Sequence, residues 1–136
     1  MNSWYFFSLI TLLIWGVGSF LPKISTNYIS PKSALMFEVI GTLILGLIVF
    51  FFNKESIDFN YIGSNVAIIA GFLGILGSFT FLLALKKGNA NTTIAITSLY
   101  PLLAILLSSF FFKEALKINH IFGIVFSIIA IYLFSF

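Results

Sequence analysis

Five apolar runs of 18 to 22 residues divide this chain: Trp4 to Leu21, Pro31 to Phe52, Asn65 to Leu85, Thr92 to Phe112 and Ile118 to Phe136. As a helix rising 1.5 Å per residue, a run of that length crosses ~30 Å of hydrocarbon. Lipid offers backbone N–H and C=O groups no partners, so a spanning segment must close its hydrogen bonds internally. An outer-membrane barrel would show alternating segments of ~10 residues, and no such alternation is present. The expected architecture is an all-α membrane protein, a bundle of five transmembrane helices forming a single domain over residues 1–136. These spans occupy roughly 100 of the 136 residues, and the short connections leave no room for a separate catalytic or ligand-binding domain.

Composition removes the alternatives. Hydrophobic residues make up 60% of the chain and charged residues 8%, against about 25% charged in a soluble domain. Mean hydropathy is +1.15, so too few polar side chains exist to coat a water-soluble particle, and the apolar excess excludes disorder. With no cysteine, disulfides, thiolate metal sites, cysteine nucleophiles and palmitoylation are excluded. The seven cations are all lysines, scattered between apolar runs rather than gathered in a stripe, so nucleic acid is not an expected partner.

Local chemistry marks the boundaries. Ser30-Pro31 reads as an N-cap followed by proline at the first helical position, where the missing donor is no loss. Lys86-Lys87-Gly88 sets two cations on the negative end of the third helix and a glycine where a left-handed cap would sit. Asn89, Asn91, Thr92 and Thr93 then offer caps for the fourth helix, predicting an antiparallel hairpin. Met1-Asn2-Ser3 has no basic n-region, and the run after it is too long for a signal peptide, so it is expected to be the first span.

Five spans put Lys54, Lys113 and Lys117 on one face and Lys23, Lys32, Lys86 and Lys87 on the other. A split of three against four gives the positive-inside rule almost nothing to act on. Five short helices do not surround a solute path, whereas two copies related head to tail would, with a site at their interface as in inverted-repeat transporters. The charge balance is therefore either noise in a small number or the mark of insertion both ways up and an antiparallel homodimer.

Candidate pathway residues follow from cost and position. Glu38 is the one acid within a span, about 10 Å past Pro31, and an intramembrane carboxylate marks a cavity, a partner or a proton path. Lys23 ends the first helix on the face where the second begins and is the expected partner of Glu38. Trp15, in the sequence Trp15-Gly16-Val17-Gly18, lies deeper than the interfacial Trp4 and Tyr5. Thr97, Ser98, Tyr100 and Pro101 form a polar centre in the fourth helix, where the proline frees a carbonyl and kinks the helix. The alternative for Thr97 and Ser98 is bonding back to their own helix. Ala70, Gly74 and Ser78, with Gly123 and Ser127, read as helix-packing faces, since small residues allow close approach. His120 alone builds no metal site. No Walker loop, dinucleotide fingerprint or nucleophile–histidine–acid set is present, so no enzyme activity, cofactor or metal is expected.

An ordered series of motifs resembles the EamA-like branch of the drug/metabolite transporter (DMT) superfamily. Ile14-Trp15-Gly16 followed by Lys23 is similar to that family's pattern in the first helix. The rest of the series is Leu83-Ala84-Leu85-Lys86-Lys87-Gly88-Asn89-Ala90, Tyr100-Pro101-Leu102, Phe112-Lys113-Glu114 and Gly123. The Lys113-Glu114 turn corresponds to a family glutamate beside the fourth helix. The resemblance implies one half of a ten-helix inverted-repeat transporter in a prokaryotic inner (plasma) membrane. It also implies secondary transport, most often export, of amino acids, sugars, nucleotide precursors or other small metabolites. Glu38 stands where many relatives carry a neutral or basic residue. The rival expectations are proton-coupled cation efflux of the small-multidrug type, a non-transporting subunit of a membrane complex, and flipping of lipid-linked sugars.

Overall fold

The computed structural model describes residues 3–53, 57–113 and 115–134, and it is helical throughout its regular parts. In chain order the helices are α1 (Ser3–Tyr28), α2 (Pro31–Phe52), α3 (Tyr61–Lys87), α4 (Ala90–Thr97), α5 (Tyr100–Phe112) and α6 (Ile118–Phe134). Four stretches are long and apolar enough to cross a membrane, with α4 and α5 together supplying the fourth. The 17 residues of α6 sit at the short end of the ~17–25 that span a bilayer. The chain is thus a multi-pass integral membrane protein built of five spans, one of them broken. Lys54 and Glu114 lie outside the described residues, so the Lys113-Glu114 motif is only half in view.

The chain divides into two compact units, Met1–Lys87 and Gly88–Phe136. In the first, α1, α2 and α3 pack on one another. Its buried residues, Thr26, Ala34, Leu82 and Leu85, all lie where α1 ends, α2 begins and α3 ends. Toward the opposite end none of the described residues is buried, and a Cβ added at Gly16, Gly18, Gly41, Gly46, Gly71, Gly74 or Gly77 would meet nothing within 4 Å. That end carries edge-on aromatic pairs, Trp4 with Tyr5 and Phe50 with Phe51. In the second unit α4 packs on α6, and Thr92 Oγ1 donates to the Phe134 carbonyl at 3.3 Å.

Several boundaries arise as expected from local chemistry. Ser30 Oγ accepts from the Ser33 N–H at 3.2 Å with Pro31 opening α2, and Asn89 Oδ1 accepts from the Asn91 N–H at 2.9 Å to start α4. Replacing Ser30 with Ala should lower stability by about 1 kcal/mol, read as a reduced melting temperature in detergent, whereas Ser30→Asp should retain the wild-type value.

Four expectations are corrected. The first helix does not stop at Leu21 but runs through Pro22 to Tyr28. Proline removes one donor, and here the continuing turn is held by the buried Thr26 and by Lys23, which reaches α3. The third helix starts at Tyr61 rather than Asn65, because Asn60 Oδ1 accepts from the Gly63 N–H at 2.9 Å and caps it. The fourth span breaks at Ser98-Leu99 into α4 and α5, three residues before the proline. No glycine among the described residues has positive φ, so the left-handed cap expected at Gly88 is absent. The Leu85 carbonyl in the last turn of α3 takes a lysine ammonium instead. The left-handed residue is Lys113, at φ 54°, closing α5.

Candidate functional site

Helices α1 and α3 of the first unit end side by side, so the unpaired carbonyls and partial negative charge of two helix C-termini meet. Each end is answered by a cation from the other helix. Lys23 Nζ of α1 donates to the Leu85 carbonyl at 2.8 Å, and Lys86 Nζ of α3 donates to the Thr26 carbonyl at 2.6 Å. Thr26 Oγ1 donates back to the Lys23 carbonyl at 3.1 Å. Beneath this reciprocal clasp lie Ala34, Leu82 and Leu85, 2%, 0% and 0% exposed.

Below that apolar layer comes the intramembrane acid. Glu38 is half-buried and stands beside Ser78 of α3. The expected Lys23–Glu38 pair gives way to two separate contacts with α3. The reason is depth: Leu85 and Ser78 are seven residues apart on that helix, about 10 Å along its axis. Ser78, expected on a packing face, is therefore the polar partner of Glu38. Trp15 lies eight residues before Lys23 on α1, about 12 Å away along the axis, and is 61% exposed.

The second unit holds the other candidates at the break between α4 and α5. Ser98 Oγ donates to the Ile94 carbonyl at 2.7 Å, and Thr97 Oγ1 donates to those of Thr93 and Ile94 at 2.9 and 3.1 Å. Both hydroxyls bond back to their own helix, the alternative already noted for them. The Ile94 carbonyl also accepts the Ser98 N–H at 2.9 Å. Pro101 has no N–H to give the Thr97 carbonyl, and the Leu102 N–H goes instead to the Leu99 carbonyl at 2.9 Å. The ladder breaks where these two effects meet, leaving Tyr100, 57% exposed, at the start of α5.

A groove of about 510 Å³ lies in this unit between α5, α6 and the segment joining them. Its polar lining includes Ser108, Ser109, Asn119 and His120, and its α6 side includes Gly123 and Ser127. Ser127 Oγ donates to the Gly123 carbonyl at 2.8 Å, and a Cβ at Gly123 would meet nothing within 4 Å. Ala70 and Gly74 of the first unit are likewise exposed. Lys86 and Thr26 were not singled out from sequence as site residues. Two helices ending on one face, each with a lysine in or near its last turns, is the signal that would have found them.

Apolar spans long enough to cross a bilayer, one of them broken, define a multi-pass integral membrane protein. The chain belongs to the EamA-like transporter family, whose model matches residues 2–136. Membership places it with transporters of the drug/metabolite type, which are typically not enzymes. It is 31% identical over 135 residues to an uncharacterized protein of Methanocaldococcus jannaschii, covering 99% of this chain and 98% of that protein. No solved structure matches the chain.

Proposed function

We propose that the chain is a subunit of a secondary transporter that exports a small metabolite, such as an amino acid, across a prokaryotic inner membrane. Two copies of opposite orientation form the working unit and alternate access between their repeats. The observation that carries this reading is Glu38. A carboxylate inside a span costs about 2.5–3.5 kcal/mol on insertion scales, and its partner is a neutral serine rather than a cation that would cancel it. Such a group is suited to exchange a proton or a cationic solute. In the first unit Lys23 and Trp15 join Glu38 as pathway residues, and in the second the broken fourth span, with Tyr100, Pro101 and the back-bonded Thr97 and Ser98, supplies irregular backbone of the kind transport sites use.

Antiparallel pairing has two supports. On the five-span count the lysines split four to three between faces, and the first unit's glycines lie open within that unit. The test is topology. Reporters fused at the C-terminus, one active only in the cytoplasm and one only outside it, should both be active. Single cysteines in α6 should cross-link in patterns compatible only with opposed copies. Activity of one reporter alone would overturn the homodimer and direct the search to an oppositely oriented partner chain.

A further inference from the structure

The clasp, the apolar layer and the acid form a sequence along the membrane normal in the first unit. Outermost are the two ammonium–carbonyl bonds, Lys86 to Thr26 and Lys23 to Leu85. Next come Ala34, Leu82 and Leu85, the tightest packing in this unit. Glu38 lies one turn beyond Ala34 on α2, and Ser78 one turn beyond Leu82 on α3, so the acid sits directly under the plug. Past it none of the unit's described residues is buried.

We propose that Lys86, acting with Lys23, is the latch of a gate that closes the lysine end of the first unit over Glu38. The proposal deepens the transport reading and rests on it. A latch needs bonds that hold and can be released, and these meet both conditions. Each ammonium neutralises the negative end of a neighbouring helix, yet both bonds lie at the ends of their spans, where water can replace a carbonyl acceptor. Neither bond competes with a backbone bond of its own helix, because both acceptors are among the last four carbonyls, which have no donor within the helix. Releasing the latch frees α1 and α3 to part at this end and uncovers the plug. In an antiparallel pair the same gate occurs once on each side of the membrane. Closing one while the other opens is the motion that alternating access requires.

The absence of native cysteine makes the test clean. Ala34→Cys places one thiol in the plug, and its rate of reaction with a membrane-impermeant maleimide in proteoliposomes reads the gate with no solute present. With both lysines in place, labelling should be slow. Lys86→Met, at an exposed side chain the fold can spare, should speed it about fivefold, and Lys23→Met/Lys86→Met at least tenfold. Lys86→Arg, which retains a charged donor, should label as slowly as the parent. Rates within twofold across the series, or an arginine variant as fast as the methionine one, would overturn the latch. The two proposals fail separately: labelling that follows Lys86 in a protein that moves no solute keeps the gate and removes the transport function. A transporting protein whose labelling ignores Lys86 does the reverse.

Discussion

Glu38→Gln should reduce solute-coupled transport in proteoliposomes by at least tenfold, to near the background leak, while leaving the protein as stable as the parent or more so. The argument rests on what glutamine retains and what it removes. Its side-chain carbonyl still stands beside Ser78, and its volume still fits beneath Ala34 and Leu82, so helix packing is preserved. The negative charge is gone, and with it the cost of holding a charge within a span and the capacity to bind and release a proton. A purely structural acid would give the opposite pattern, with unaltered transport in whatever fraction folds. Ser78→Ala separates the roles further. It removes the donor but leaves the carboxylate, so transport should fall by only a fewfold and retain its dependence on a proton gradient. Equal transport by the parent and Glu38→Gln at matched protein density would remove Glu38 from the mechanism.

The spans were legible in the sequence because lipid leaves a chain so little choice: apolar runs of about 20 residues must be helices. The caps at Ser30 and Asn89 were legible because they depend on residues two or three positions away. Legibility failed where neighbours in space decide the outcome. Pro22 looks like a helix end by every local rule, yet α1 continues because Lys23 and Thr26 are held by α3. Gly88 looks like a left-handed cap, but a lysine 62 residues away from Leu85 in sequence takes the carbonyl there. The Lys23–Glu38 pair was inferred from two depths counted independently from loop ends. The running-on of α1 past Leu21 shifts one of those counts, and α3 then offers each side chain a nearer partner. Ser78 read as a small residue on a packing face because spacing alone does not distinguish a serine that packs from one that donates. At the fourth span the proline marked the region correctly, but the break falls at Ser98-Leu99, where back-bonded hydroxyls and the missing N–H act together.

Gly74→Leu should weaken self-association at least tenfold while leaving the helical content of the protomer unchanged. Within the first unit a Cβ at Gly74 meets nothing within 4 Å, and the same holds for Gly71 and Gly77 beside it. Leucine therefore creates no clash inside that unit, and as a better helix former than glycine it should strengthen α3. Any loss must come from outside the first unit, and a loss of self-association from the second copy. If this glycine face receives a helix of the second copy at close approach, four added carbons hold the two apart, and a tenfold weakening corresponds to about 1.4 kcal/mol. If the face meets only lipid, leucine is as welcome as the tails around it, and the variant should associate normally and melt higher than the parent. The sign of the change thus reports what covers α3. Energy transfer between labelled copies, diluted in bilayers until the parent pair begins to dissociate, measures it, and Gly74→Ala should fall between the two.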